Sequence, residues 1–191
     1  MSNKWHILLE QLEEVEYNLG SEIWNDKQFQ EFESQTGLIL PQDYKDFCQI
    51  FGTVGLGNYL RIYCPDFAFS NFSIETLKED ITDNYVSLVQ KNINIEILEE
   101  LLNSAFIFAD NDVADVFFWD LRTYNISDQN CDIYMAATDC FGGDVYKVGQ
   151  NFYEFVQNFC LGTKAYEVLP ESIQPNLESI RPTYSRFKPV Y

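Results

Sequence analysis

The N-terminal part of the chain has apolar residues at helical spacing. After Ser2, which suits a helix N-cap, they recur every three or four positions as far as Leu19, and Gly20 suits a C-cap. A second run of this kind predicts a helix from Asn25 to Thr36 that stops at Gly37. The sequence therefore predicts two amphipathic helices before residue 38.

The next segments mix helical and extended patterns. A third helix is predicted to start at Pro41 and to end at Gly52, with large apolar residues on one stripe. Alternating residues at 58 to 63 predict a strand, which Pro65 ends. A long helix is predicted from Ser73 to Val89, and a short helical turn at 96 to 103.

Beyond residue 104 the hydrophobic period changes to two, which is typical of strands. Asn151, with Glu154 three residues later, then predicts a capping box and a last helix that ends at Gly162. Because helices and strands are segregated along the chain, the pattern predicts an α+β fold with a mainly antiparallel sheet and flanking helices. The predicted strands are 105 to 109, 115 to 121, 131 to 137 and 144 to 148.

The C-terminal residues have a different composition. Four prolines follow Glu167, which favours an extended tail, and the last eleven residues are basic without any acid. This basic end either docks on an acidic body or frays. We predict one domain over residues 1–166 with an added N-terminal helix, and a Pro-rich extended tail over 167–191.

Composition and charge exclude several classes of partner. A chain of 191 residues with 46% hydrophobic residues suits one folded domain. Its 30 acidic and 12 basic residues give a formal net charge of −18, which repels nucleic-acid phosphates and anionic lipids. Nucleic-acid and membrane partners are therefore not expected. The acidity serves either solubility or binding to a basic partner, and charge alone does not choose.

The cysteines and the N-terminus indicate the compartment. Five widely spaced cysteines include no Cys-x-x-Cys pair, so the sequence favours reduced, buried thiols over disulfides or a zinc site. The N-terminal stretch turns acidic within ten residues, unlike a signal peptide, and no apolar run approaches the roughly 20 residues of a membrane span. We expect a cytoplasmic protein.

The acidic stretch "FADNDVADVFFWDL" at 108–121 is the most conspicuous candidate for chemistry. Read as a calcium loop from Asp110, it lacks the fifth-position ligand, which is Ala114, and has Asp115 where the turn needs glycine. A hydrolase that uses Asp110 or Asp115 stays an alternative. The preferred interpretation is a hairpin connection whose side chains satisfy turn backbone groups, with Trp119 in the core.

Other motifs indicate no catalysis. The segment "GTVGLG" at 52–57 is neither a dinucleotide-binding loop nor a Walker A loop, so we interpret its glycines as loop residues. The single histidine, His6, lies in the first predicted helix and is expected on the surface. "CFGGDVYKV" at 140–148 predicts a Gly-Gly turn that leads into a strand. No enzyme activity, cofactor or metal is expected.

Three segments resemble the SUKH superfamily, specifically its Smi/Knr branch. They are "LILPQDYKDFCQIFGTVGLGNYLRIYCP" at 38–65, the acidic stretch at 108–121, and "NFYEFVQNFCLG" at 151–162. Ala114 stands where this family usually has glycine. The resemblance covers roughly residues 22 to 165. The residues that carry the structural pattern are Leu40, Pro41, Tyr44, Phe47, Gly52, Gly57, Trp119 and Gly142.

The resemblance implies a SUKH-like α+β fold and, for bacterial members, an immunity role in a toxin–antitoxin pair. Such a protein binds and neutralises a cognate toxin, here expected to have a basic surface and to be, for example, a nuclease. The alternative is an intracellular regulatory scaffold of the Smi/Knr type, suggested by the added N-terminal helix and the Pro-rich tail. The toxin-binding residues proposed from their place in a hairpin, where exposure is expected, are Asp110, Asp112, Asp115 and Asp120.

Overall fold

The computed structural model describes residues 3–15, 23–66, 95–113, 115–137 and 145–187. The helix predicted from Ser73 to Val89 lies outside these ranges, and so do Ala114 and Gly142.

Helices account for much of the described chain. One of them, α5, continues directly as a π-helix over Phe155–Cys160. The short helix predicted at 96 to 103 is nine residues long. The helices are α1 (Asn3–Gln11), α2 (Asp26–Thr36), α3 (Gln42–Ile50), α4 (Ile95–Asn103), α5 (Phe152–Glu154) and α6 (Lys164–Val168).

Within the described ranges the strands form one sheet of eight, in the order β1-β8-β2-β3-β4-β5-β6-β7. Every neighbouring pair is antiparallel except β1 with β8, which is parallel. The prediction of an α+β fold with a mainly antiparallel sheet is confirmed. The strands are β1 (Glu13–Glu14), β2 (Val54–Leu56), β3 (Leu60–Ile62), β4 (Ala105–Asn111), β5 (Val116–Asp120), β6 (Asn130–Ala136), β7 (Val145–Asn151) and β8 (Thr183–Arg186).

Local signals explain why α2 lies where the sequence predicted it. The Asn25 side chain accepts hydrogen bonds from the backbone N–H groups of Lys27 and Gln28, and the Gln28 side chain accepts one from the Asn25 N–H. This capping box satisfies N–H groups that a helix start otherwise leaves unpaired. Gly37 ends the helix with φ of 73°, a left-handed conformation that glycine adopts without strain.

Aromatic side chains fill the core on both faces of the central strand β5. On one face Trp119 stacks on Phe108 at 4.0 Å between ring centroids and meets Tyr44 of α3 edge-on at 4.7 Å. On the other face Phe118 packs with the apolar side of α4, including Leu102. The prediction that Trp119 belongs to the core is confirmed, and both faces of this strand are covered.

Most residues of the proposed family pattern contribute to this core. Pro41 directly precedes α3, and two glycines have positive φ angles, 69° at Gly52 and 57° at Gly57. The fully buried members are Leu40, Tyr44, Phe47 and Trp119.

Two predictions about local structure are wrong. The first helix does not reach Leu19, because it ends at Gln11 and the N–H groups of Glu13 and Val15 donate to carbonyls next to and within β8. The interpretation of the glycines of "GTVGLG" as loop residues is wrong for Gly55, which lies in strand β2 (Val54–Leu56) between β3 and β8, whereas Gly52 and Gly57 lie outside the strand. In both places the sheet supplies partners for backbone groups that are distant in sequence.

The C-terminal segment, residues 167–187, contains two short helical turns and then a strand of the sheet, β8. Strand β8 lies between β1 and β2, and Tyr184 packs edge-on against Phe51 at 5.8 Å. Arg186 forms an ion pair of 3.5 Å with Glu14 and donates to the Ile50 carbonyl. Of the two alternatives for the basic end, docking is therefore correct up to Phe187.

The described cysteines Cys48, Cys64, Cys131 and Cys160 are buried free thiols. His6 is exposed, as expected. Within the described ranges we find no helix with the length and apolar character that crossing a membrane requires.

Gly57 lies where the C-terminal segment crosses the turn between β2 and β3. Its N–H donates to the Thr183 carbonyl at 2.8 Å, and the neighbouring Asn58 N–H donates to the Ser179 carbonyl. A Cβ atom at Gly57 would lie 2.5 Å from the Ser179 carbonyl oxygen. The positive φ strains the backbone of any residue with a side chain, and the close approach of the two backbones leaves no room for a Cβ atom.

We expect Gly57→Ala to destabilise the domain by roughly 3 kcal/mol, the sum of left-handed strain and a forced displacement of the C-terminal segment. Gly37→Ala is the matched control, because Gly37 has a similar φ but open space around its Cβ position. It should cost only the strain, about 1 kcal/mol. Urea unfolding of both variants measures the difference, and equal losses would show that the close approach is unimportant.

Candidate protein-binding site

The four candidate aspartates lie around the hairpin formed by β4 and β5. Asn111 organises its turn, because its side-chain oxygen accepts from the N–H groups of Val113 at 3.1 Å and Asp115 at 2.9 Å. Its amide nitrogen donates to the Asp115 carboxylate at 2.8 Å. The Asp/Asn-rich connection therefore satisfies turn groups, as the sequence analysis preferred.

Asp110 forms a compact cluster with residues of the neighbouring strand. In the register of β3 and β4 it lies opposite Arg61, whose Nε donates to its carboxylate at 2.7 Å. The Tyr63 hydroxyl donates to the same oxygen at 3.0 Å. Burial raises the pKa of Asp110 above its ordinary value, and the hydrogen bonds from Arg61 and Tyr63 only partly oppose this. Its charge is thus matched by Arg61.

Asp120 is held at the opposite end of β5. Arg122 binds it with two nitrogens, at 2.8 and 2.7 Å, and the Ser104 hydroxyl donates to it at 2.7 Å. Burial acts to raise the pKa of Asp120, but these donors favour the ionised form and hold the pKa below its ordinary value.

Asp112 differs from the other three because its side chain is 77% exposed. Its nearest cationic atom in the described part is the Arg61 Nη1, at 3.5 Å, and the Nε and Nη2 of the same guanidinium already serve Asp110 and the Asn111 carbonyl. The expectation of exposure is therefore met at Asp112. The expectation is wrong for Asp115 and Asp120, each only 3% exposed, because local donors hydrogen-bond to their carboxylates in the buried position. The binding role of all four stays a prediction.

A cleft separates the hairpin from the C-terminal segment, and we call it the hairpin–tail cleft. Its volume is about 350 Å³. Tyr59, next to β3, also lines it. The hairpin side is lined by Asn111, Asp112, Val113 and Asp115, and the opposite side includes Ser172, Pro175, Asn176 and Ser179.

Sequence reasoning missed the partners of the aspartates. Alternation in the strand at 58 to 63 already placed Tyr59, Arg61 and Tyr63 on one side of it, which is a usable signal. The register that sets Arg61 beside Asp110 joins positions 49 residues apart and has no local signature. The second wall of the cleft was missed because the C-terminal segment was expected to lie outside the domain.

The hydrolase alternative can be compared with this geometry. A raised pKa, as at Asp110, is a property of many catalytic acids, but an arginine ion pair of this kind also occurs in purely structural networks. Among the described residues no group of three or more histidine, cysteine, aspartate or glutamate side chains is arranged to hold a metal ion.

Comparison with known proteins identifies one family. A sequence model of the SMI1 / KNR4 family (SUKH-1) matches residues 24–158, which span α2 to the π-helix and include the hairpin. No curated protein and no solved structure matches the chain.

The contrast between Asp120 and Asp110 predicts opposite pH effects. The folded-state pKa of Asp120 is depressed, so its contribution to stability is present above the unfolded-state pKa and is lost as pH falls through the folded pKa. The folded-state pKa of Asp110 is raised, so its contribution is fully present below the unfolded-state pKa and is lost as pH rises through the folded pKa.

Side-chain carboxyl NMR titration should therefore place the two pKa values on opposite sides of the ordinary aspartate value of 3.8. Ser104→Ala should raise the pKa of Asp120 by removing a donor to the carboxylate. Ser172→Ala, at an exposed position in the C-terminal segment, is the control and should leave it unchanged. If the pKa of Asp120 is the same in Ser104→Ala, the Ser104 hydroxyl does not contribute to lowering it.

Proposed function

The chain belongs to the SMI1 / KNR4 family (SUKH-1), and on this basis we propose that it is an immunity protein that binds and neutralises a cognate bacterial toxin with a basic surface. The family is generally non-catalytic. The proposed activity is accordingly the blocking of another protein's surface.

The observation that carries the choice of partner is how the basic residues are used. The basic residues are outnumbered by 30 acids to 12 over the whole chain. Several of them are already paired with carboxylates of the same molecule, so each such pair is neutral at a distance and the acidic surplus sets the field. Among the residues that the structure describes, those that form ion pairs are Lys4, Lys27, Lys45, Arg61, Arg122, Lys147, Lys164 and Arg186.

A surplus of −18 creates a field that attracts cationic proteins and repels polyanions. A nuclease toxin fits this field, because it must present lysine and arginine to phosphate groups. An acidic inhibitor that occupies the same surface excludes the nucleic acid and speeds encounter through electrostatic steering.

The second candidate is the intracellular regulatory scaffold of the Smi/Knr type. It was suggested by the added N-terminal helix and the Pro-rich tail as free binding elements. In the structure β1 pairs with β8, so both additions complete one side of the sheet. The two features that suggested a scaffold thus help to complete the sheet. The scaffold function is supported by family membership.

A cytoplasmic location is part of the proposal. The buried free thiols at Cys48, Cys64, Cys131 and Cys160 are compatible with a reducing compartment.

The test is co-expression with the protein encoded by the neighbouring toxin gene. We expect co-purification and protection of the host, with an association rate that falls steeply as ionic strength rises, since salt screens exposed charges beyond about 8 Å at 0.15 M. Stopped-flow or biosensor kinetics at several salt concentrations measures this. Absence of both binding and protection would refute the proposal.

Asp112→Lys should slow association and weaken binding, because it reverses the one candidate aspartate that is largely exposed. Glu10→Lys on α1 is the control with the same charge change at an exposed site outside the cleft. Reversal of all four aspartates is uninformative, since a lysine at the buried Asp115 or Asp120 would disrupt the fold. Equal effects of the two single variants would indicate a general field and no contact at Asp112.

A further inference from the structure

Two cysteine thiols lie next to each other in the core, between α3 and the chain that follows β3. Cys48 belongs to α3 and is completely buried, and Cys64, two residues after β3, is 2% exposed. A hydrogen bond joins the two thiol groups, so their sulfur atoms are neighbours. Toxin binding as proposed above makes no use of this pair.

Hydrogen bonds that do not involve the sulfur atoms hold the two chain segments together. Tyr44 lies one turn before Cys48 on the same side of α3, and its hydroxyl donates to the carbonyl of Tyr63. The N–H of Cys64 donates to the Thr53 hydroxyl at 3.0 Å, just beyond the end of α3. The position of Cys64 beside Cys48 is therefore fixed independently of the contact between the thiols.

The other described cysteines have different surroundings. The Cys131 thiol lies 3.4 Å from the carbonyl oxygen of Asp120 and 3.9 Å from the Thr123 hydroxyl. Burial alone raises the pKa of Cys160, and no neighbouring thiol contributes to it. Among the cysteines that the structure describes, only Cys48 and Cys64 are thus arranged as a pair.

Neighbouring thiols can be oxidised to a disulfide by hydrogen peroxide. One cysteine, as its thiolate, attacks a peroxide oxygen, and the other oxygen leaves as hydroxide and takes up a proton to give water. The second thiol then attacks the sulfur of the resulting sulfenic acid and forms the S–S bond, and its proton leaves with the sulfenic hydroxyl as a second water. The two sulfur atoms together lose two electrons, which reduce the O–O bond of the peroxide.

Burial makes this reaction slow without preventing it. It raises the pKa of Cys48 well above its ordinary value, so the reactive thiolate is rare while the core is closed. Oxidation therefore depends on transient openings of the core. The second thiol of the pair matters at that stage, because it captures the sulfenic acid before further peroxide oxidises it irreversibly.

We propose that Cys48 and Cys64 form a reversible disulfide that stabilises the protein under oxidising conditions. Hydrogen peroxide closes the bond, which ties α3 to the chain after β3, and a thiol reductant opens it again. Its formation requires no partner protein. A bond between residues 48 and 64 restricts the unfolded chain, so the oxidised protein should be more stable than the reduced one.

Tryptic mapping of the folded protein tests the bond directly. Arg61 lies between the two cysteines, so trypsin places them in separate peptides that only a disulfide joins. The native protein is treated with hydrogen peroxide at neutral pH, and the remaining thiols are then alkylated in denaturant. We expect the linked pair of peptides, separable by dithiothreitol, while Cys131 and Cys160 are recovered as alkylated thiols. Absence of the linked pair, or equal amounts of links to other cysteines, would overturn the proposal.

Thermal unfolding measures the effect of the bond on stability. The oxidised protein should have a Tm roughly 6–12 °C above that of the reduced protein, the shift expected for a loop of this length in a chain of this size. Cys64→Ala should abolish both the linked peptides and the shift. Cys131→Ala, which removes another buried thiol, is the matched control and should keep both. A linked protein with an unchanged or lower Tm would contradict the stabilising role and overturn the proposal.

Discussion

The stacking of Trp119 on Phe108 is the contact on which the rest of the structure depends. It joins β5 to β4, and Tyr44 and Phe152 complete it from α3 and α5 with ring centroids 4.7 and 5.5 Å from that of Trp119. The next residue toward the hairpin, Phe118, points to the other face, where α4 covers it. Alternate residues of a strand face opposite sides, so almost every side chain of β5 is buried when both faces are covered. Polar residues can therefore lie only at the ends of this strand.

This constraint explains how the aspartates around the hairpin are arranged. A carboxylate at the edge of an aromatic core loses part of its hydration, so its ionised form needs donors nearby. Arg61 and Tyr63 supply them at Asp110, Asn111 at Asp115, and Arg122 with Ser104 at Asp120. Asp112, at the tip of the turn, lies beyond the core and keeps its hydration. The distance of each aspartate from the core thus decides whether its carboxylate is bound by local donors or stays hydrated.

A feature of the fold or of the site can be predicted from the sequence when the residues that cause it are close together in the chain. Helices α2 and α3 are correctly predicted because their starts and stops are encoded within a few residues, by Asn25 with Gln28, by Gly37 and by Pro41. Strand β2 is three residues long with Gly55 at its centre, and its pairing with β8 joins residues more than 120 positions apart. The contact of Arg61 with Asp110 also joins distant positions, 49 residues apart. The aspartates could be found from the sequence, but their exposure could not.

The ion pairs that basic residues form within the molecule affect its electric field more than its stability. Surface ion pairs such as Lys27–Glu31 and Lys164–Glu167 contribute about 0–1 kcal/mol each, so they do little for the fold. In each pair, however, the positive and the negative charge cancel each other beyond a few ångströms. At longer distance only the surplus of acidic residues contributes to the field. Such a field attracts surfaces that carry lysines and arginines. The same field repels polyanions, and this is the electrostatic basis of the proposed preference for a cationic partner.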